Sequence, residues 1–153
     1  MELAESLFSE NDDNSSILSL LINTLRNIHN SKIPTLDILI FEFELLKHQG
    51  FGISIFDCTN CDKELERSDH YFSSNVGGFY CTTCFESKRL LDQSVKVTVG
   101  QQLILRTIAR KNYKDLISLN LSEKEISNCR KLIQNSIRDI IGVQLKTVKF
   151  SDL

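Results

Sequence analysis

Two short segments of this sequence carry residues able to do chemistry together. They are Cys58-Thr59-Asn60-Cys61 and Cys81-Thr82-Thr83-Cys84, separated by 19 residues. Two residues between paired cysteines let a tight turn aim both sulfurs at one point. Two such turns supply four thiolates at about 2.3 Å around a tetrahedral ion. Zinc suits this set because it is borderline soft and has no redox cycle. Four thiolates fill its coordination sphere and leave no position for water, so the expectation is one structural Zn2+ held by Cys58, Cys61, Cys81 and Cys84. Backbone N–H groups in the two turns, helped by Lys63, Lys88 or Arg89, would offset the excess negative charge. Two other chemistries use the same residues. An iron–sulfur cluster also takes four cysteines, and a dithiol oxidoreductase uses a reactive cysteine pair on a strand-to-helix turn. His70 lies outside either turn and is expected at the surface.

No other residues form a catalytic pattern. Cys129 stands apart on a predicted helix and reads as a buried, small apolar thiol. His29 and His48 fall near helix ends, where a cation suits the dipole. Glu42 and Glu44 are two apart on a helix and point to different faces. A glycine-rich phosphate loop and a nucleophile motif are both missing. The expectation is a protein that is not an enzyme.

Apolar residues make up 41% of the 153, and charged residues 25%. Both values are those of a globular domain, which argues against wholesale disorder. No apolar run reaches the roughly 18 residues that span a bilayer. The start, Met1-Glu2-Leu3-Ala4-Glu5, lacks the basic residues of a signal peptide. A cytoplasmic protein without membrane contact is expected, and five cysteines in that compartment argue for metal before disulfides. The net charge of −2 hides an asymmetry: residues 1–50 hold 3 Lys/Arg against 8 Asp/Glu, and residues 101–153 hold 10 against 5. The basic end could meet phosphate. It could equally be a solvated face, or a surface that meets the acidic N-terminal half.

The elements that must position the cysteines follow from periodicity. Residues 1–9 are predicted as a short helix, and residues 9–14 as a polar loop. Asn14 or Ser15 can cap a helix carrying Ile17, Leu18, Leu20, Leu21, Leu25 and Ile28 and ending near Asn30. Pro34 opens the next helix, which runs to His48 with a broad apolar face of Ile38, Leu39, Phe41, Leu45 and Leu46, and Gly50 stops it. Residues 53–90 lack helical periodicity. Two short strands, residues 69–73 and 78–81, are joined by a turn at Asn75-Val76-Gly77-Gly78. A helix is expected from Val99 to Lys111. Ser122-Glu123-Lys124-Glu125 is a capping box that starts a last helix, with Ile126, Cys129, Ile133, Ile137, Ile140 and Ile141 on one face. Gly142 is expected to end it, and residues 145–150 read as an extended tail. The fold expectation is mainly α: a helical domain with an inserted four-cysteine, zinc-ribbon-like β-hairpin module. Its parts are a helical segment at 1–52, the cysteine module at 53–92, and C-terminal helices of the same helical domain at 93–153.

Three features together resemble the C-terminal part of the bacterial recombination mediator family RecO. The first is Phe41-Glu42-Phe43-Glu44-Leu45-Leu46 leading through Gly50-Phe51 to Cys58. The second is the four-cysteine module with Val76-Gly77-Gly78-Phe79 before Cys81. The third is the last helix running into Ile141-Gly142, then Leu145-Lys146-Thr147 and Phe150. The resemblance covers nearly the whole chain. Members of that family begin with an OB-fold barrel, and no five-stranded segment precedes the helices here. The resemblance implies a non-enzymatic mediator of DNA repair and homologous recombination. With RecR it would displace single-strand binding protein, anneal strands and help load RecA. Implied partners are RecR, the acidic tail of single-strand binding protein, and single-stranded DNA, the last weakened without the barrel. Arg106, Arg110, Lys111, Arg130, Lys131 and Arg138 are the helical cations open to nucleic acid or an acidic peptide. The alternative is a zinc-ribbon module for protein interaction without DNA activity.

Overall fold

The computed structural model describes residues 14–88 and 94–151. The predicted helix at residues 1–9 and Arg89 lie outside them. Six helices and four strands follow in order: α1 (Asn14–Asn30), α2 (Pro34–His48), β1 (Ser54–Cys58), β2 (His70–Ser73), β3 (Gly78–Tyr80), α3 (Thr82–Lys88), β4 (Val95–Val97), α4 (Val99–Ala109), α5 (Tyr113–Ser118) and α6 (Glu123–Ser151).

The helical body forms around α2, which packs against α1 on one side and α6 on the other. Pro34 stands in the first turn of α2, where its missing N–H needs no partner. At the other end Gly50 has φ +80°. This left-handed residue lets the Phe51 N–H reach back 2.9 Å to the Leu46 carbonyl. The closure satisfies a last-turn acceptor and turns the chain toward β1. Leu39, Leu45 and Leu46 on α2 are fully buried against Ile126, Ile133 and Ile137 of α6 and Ile104, Leu105 and Ile108 of α4 in one core. Each such side chain gains about 1.5–3 kcal/mol on leaving water.

Two C-terminal helices of this core, α4 and α6, start on capping boxes. The Ser122 hydroxyl accepts the Glu125 N–H at 3.2 Å, and the Glu125 carboxylate accepts the Ser122 N–H at 3.3 Å. Thr98 and Gln101 do the same for α4. The expected extended tail is not formed. The α6 helix passes Gly142 and runs to Ser151. One glycine in a helix costs only about 1 kcal/mol, and five turns already precede it, so propagation continues past a residue that merely permits a stop.

The cysteine region holds more than a hairpin. Its sheet has the order β1-β3-β2-β4. The predicted hairpin is β2–β3, antiparallel with Phe72 opposite Phe79, and its turn uses Gly77 at φ +67°. β1 pairs parallel to β3 with a bulge between Ser54 and Cys58, and β4 pairs antiparallel to β2. A short helix, α3, begins inside the second cysteine segment and carries Cys84, contrary to the expectation of no helix before residue 90. It is held by the Phe85 ring stacked on Tyr71 at 3.5 Å between centroids. His70 is not a surface residue. It is 3% exposed on β2, and its Nε2 lies 2.9 Å from the Glu66 carbonyl.

The sheet is fastened to α4 by three polar side chains. Gln102 Nε2 donates to the carbonyls of Ser68 and Val97 at 2.9 and 3.1 Å. Arg106 Nη2 donates to the Leu65 carbonyl at 3.0 Å. Arg110 lies over the Phe56 ring at 4.9 Å from its centroid. These bonds satisfy backbone acceptors that the short strands leave open.

Candidate metal centre

Cys58 ends β1, and Cys61 follows in the same turn. The Cys58 N–H donates to the Lys63 carbonyl at 2.8 Å, and the Asp62 N–H donates to the Cys58 carbonyl at 2.9 Å. Closing this turn puts Asp62 at φ +57°, a left-handed conformation that Asp tolerates better than most residues. Cys81 follows β3, and Cys84 stands in α3. The parallel β1–β3 pairing sets the two turns side by side: the Thr59 N–H donates to the Phe79 carbonyl at 2.9 Å. Gly78 sits beneath this junction. A Cβ there would collide with the Thr59 methyl and crowd the Ser54 backbone.

The four sulfurs converge. All lie within 4.8 Å of one another, and the Cys61 and Cys81 sulfurs are 3.9 Å apart. A tetrahedron with arms of about 2.3 Å has edges of about 3.8 Å, close to the Cys61–Cys81 separation, so the four sulfurs could hold one ion. Cys58 and Cys84 are buried, whereas Cys61 and Cys81 are half-exposed. The Cys81 N–H points at the Cys58 sulfur at 3.4 Å, and the Asn60 side-chain amide points at the Cys84 sulfur at 3.2 Å.

The acidities of the thiols fit a site that wants a cation. Burial opposes ionisation of Cys58, but the N–H groups of Cys81, Asn60 and Cys61 outweigh it and lower this thiol to about 6. Burial pushes Cys81 up to about 12, with the neighbouring sulfurs adding to the rise. At Cys61 the Lys63 N–H favours the thiolate, yet burial and the sulfurs of Cys58 and Cys84 raise it overall. Cys58 thus gives up its proton readily, whereas Cys61 and Cys81 resist ionisation. A bound divalent ion removes that resistance.

Cys129 is elsewhere. It is fully buried on α6 with its thiol 3.6 Å from the Gln101 carbonyl. Burial, then the Glu125 charge, raise it to about 12.

The six cations are dispersed. Arg130 makes a two-bond pair with Glu42, Nε to Oε2 and Nη2 to Oε1, each at 3.0 Å. Arg106 and Arg110 flank Phe56 beside the sheet, and burial, then the Arg110 charge, draw Arg106 below its ordinary value. Lys111 lies 3.9 Å from Glu44. Lys131 and Arg138 are exposed on α6. The basic C-terminal half thus meets the acidic N-terminal half at two points. Glu42 and Glu44 do face different ways, one toward α6 and one toward the α4–α5 corner. Arg138 also lines a cleft of about 410 Å³ with Gln134, Ile137 and Ile141.

The comparisons with known proteins add to this geometry. A family model described as "Recombination protein O C terminal" matches residues 1–149. The chain belongs to the RecO C-terminal family. Its relatives include a DNA repair protein RecO of Dehalococcoides mccartyi strain BAV1, 27% identical over 99% of this chain and 58% of the relative. The DNA repair protein RecO of Caldicellulosiruptor bescii is 29% identical over 98% of this chain and 59% of its own length. That of Lactobacillus acidophilus is 28% identical over 74% of this chain and 43% of its own. The chain therefore spans less than two thirds of the RecO relatives it matches. No solved structure matches it. Among the described residues, no helix is long and apolar enough to cross a membrane.

Two side chains that support the cysteine module escape a reading of spacing alone: Asn60 at a sulfur and Gln102 at the sheet. Asn60 is visible in the sequence only as a spacer between two cysteines. Gln102 stands beside Gln101 in the first turn of α4, and nothing in its spacing marks it as the residue that reaches the Ser68 and Val97 carbonyls.

Proposed function

We propose that this chain is the helical and metal-binding part of a DNA-repair and recombination mediator that works by binding and positioning rather than by catalysis. Cys58, Cys61, Cys81 and Cys84 hold one Zn2+, which supplies a structural cross-link between the two cysteine turns. With all four positions taken by sulfur, the ion offers no site for substrate. Residues 53–92 are the metal module. Residues 1–52 and 93–153 are the two halves of one helical domain.

The single observation that carries this reading is the match to the RecO family along almost the whole chain, joined to four sulfurs that meet at one point. RecR, the acidic tail of single-strand binding protein and single-stranded DNA are the partners proposed, acting in the cytoplasm. The α6 cleft has the chemistry for such a tail, with apolar walls from Ile137 and Ile141 and a guanidinium from Arg138 at its rim. Strand annealing and the loading of RecA belong to the whole mediator, of which this chain covers a part.

A module for protein partners alone is the second reading. It is favoured by the engagement of five of the six cations with protein groups: Arg130 with Glu42, Lys111 with Glu44, Arg106 with Leu65, Arg110 with Phe56 and Arg138 with Asn135. The experiment is a binding series with the zinc-loaded chain against RecR, a labelled acidic tail peptide and labelled single-stranded DNA at rising salt. Retention of RecR, together with DNA binding that falls steeply with salt, supports the mediator. Binding of the peptide without any strand affinity supports the second reading. Failure with all three partners sinks both.

A further inference from the structure

The four sulfurs are unequally protected. Cys58 is buried and faces the Cys81 N–H, a bond the backbone supplies whatever the side chains are. Cys61 and Cys81 form a half-exposed corner. Cys84 is buried like Cys58, but the donor on it is a side chain, and it comes from the opposite turn: Asn60 Nδ2 lies 3.2 Å from the sulfur across 24 residues of sequence. A thiolate accepts hydrogen bonds and repels a carbonyl oxygen, so the amide presents its NH2 to the sulfur. Asn60 is otherwise exposed. Packing therefore does not explain its orientation, whereas the hydrogen bond to the Cys84 sulfur does.

We infer that Asn60 is a positioning residue of the metal centre. Its amide reaches across from the opposite turn and holds the Cys84 sulfur at the ligating position, so the ion is lost through the Cys61–Cys81 corner and Cys84 lets go late. The inference rests on the four cysteines holding zinc. A donor to a ligand atom lowers the charge the ion must neutralise and makes that sulfur a poorer nucleophile toward electrophiles. The metal and this side chain then join the two turns alongside the Cys81 N–H on the Cys58 sulfur.

The test uses the zinc-loaded 153-residue chain with Asn60→Ala and with Asn60→Asp, which keeps the shape and replaces the donor by a charged acceptor. Zinc per chain is measured first. Each protein is then treated with limiting N-ethylmaleimide, and modification is followed cysteine by cysteine by peptide mass mapping. In the wild type, Cys61 and Cys81 react first. In Asn60→Ala the ratio of Cys84 to Cys58 modification rises about 10-fold, at the low end of the usual effect of such partners on metal sites. In Asn60→Asp it rises further, and transfer of zinc to a chromogenic chelator accelerates in both. The ratio matters because a module that merely loosened would expose Cys58 and Cys84 together. One zinc per chain with an unmoved ratio overturns the role of Asn60 and leaves the metal centre standing. No zinc in the wild type overturns both.

Discussion

Arg130 grips Glu42 with two hydrogen bonds of 3.0 Å, joining helices whose residues are 88 apart in sequence. The Glu42 side chain is 6% exposed and the Arg130 side chain 31%. Gln134 completes the pair, donating to Glu42 Oε1 at 3.1 Å. Truncating one member of a buried pair costs about 3–5 kcal/mol, because the other charge is left without a partner. Arg130 keeps part of its hydration, so Arg130→Ala is expected to cost less, about 2–3 kcal/mol. The apolar pair Glu42→Leu with Arg130→Met should lie within about 1 kcal/mol of wild type, since it removes both desolvation costs. Urea unfolding followed by circular dichroism measures both. Equal loss in the single and double variants would mean that the pair itself is not what matters.

Gly78 makes a second, more local prediction. Its missing side chain is what lets Thr59 and Ser54 lie across β3. Gly78→Ala forces those groups apart and should destabilise the module by about 1–3 kcal/mol, the usual cost of overpacking. Thr59→Ser removes the methyl that the new Cβ would strike, so adding it to Gly78→Ala should recover part of the loss. Thermal unfolding of the zinc-loaded variants reads this out. Additive losses in the double variant would show that the contact is not the cause.

The parts of this protein that were legible in sequence are those punctuated by residues with one conformational use. Pro34 and Gly50 bracket α2, and the Ser122–Glu125 box starts α6. The paired cysteines announce a shared site whatever the fold around them. What was hidden depends on partners distant in sequence. β4 is three residues, Val95–Val97, and is a strand only because β2 offers it an edge. α3 is seven residues and owes its place to Tyr71 beneath Phe85. His70 reads as polar and exposed until Glu66 supplies a carbonyl for its ring. The end of α6 was misplaced because glycine permits a helix to stop without requiring it.

Cys129 sets an upper pH limit. Its thiol titrates at about 12 in the fold, against 9.0 when free of the fold, because burial and the Glu125 charge disfavour the thiolate. Below pH 9 the thiol is protonated in both folded and unfolded chains, and its contribution is fully present. Above pH 9 the unfolded chain gives up this proton while the folded one keeps it, so stability is lost as pH rises toward 12. Cys129→Ala is expected to be less stable at pH 7, because it leaves a small void. It should also show a shallower decline above pH 9 than the wild type. Denaturant midpoints of the two proteins from pH 7 to 10.5 give the difference, and parallel curves would refute the assignment.

Metal removal tests the site as a whole and separates the two kinds of cysteine. Five cysteines are present, four converging and one in the helical core. In the zinc-loaded protein all five should react slowly with a chromogenic disulfide, four because their sulfurs are ligated and Cys129 because it is buried and protonated. Chelation should release one zinc and expose four fast-reacting thiols, while the fifth waits for denaturant. The apparent binding free energy of structural zinc in small modules is about 10–16 kcal/mol at neutral pH, so the order of β1, β2, β3, α3 and β4 should be lost with it. Most helical signal should survive, since α1, α2, α4, α5 and α6 are not among these elements. Zinc uptake at pH 7.5 should release thiol protons, because ligating sulfurs must be thiolates, and affinity should therefore fall as pH falls. Calorimetry in two buffers of different ionisation enthalpy counts those protons. Five fast thiols after chelation, or a coloured protein whose absorbance leaves with iron, would each require a different centre.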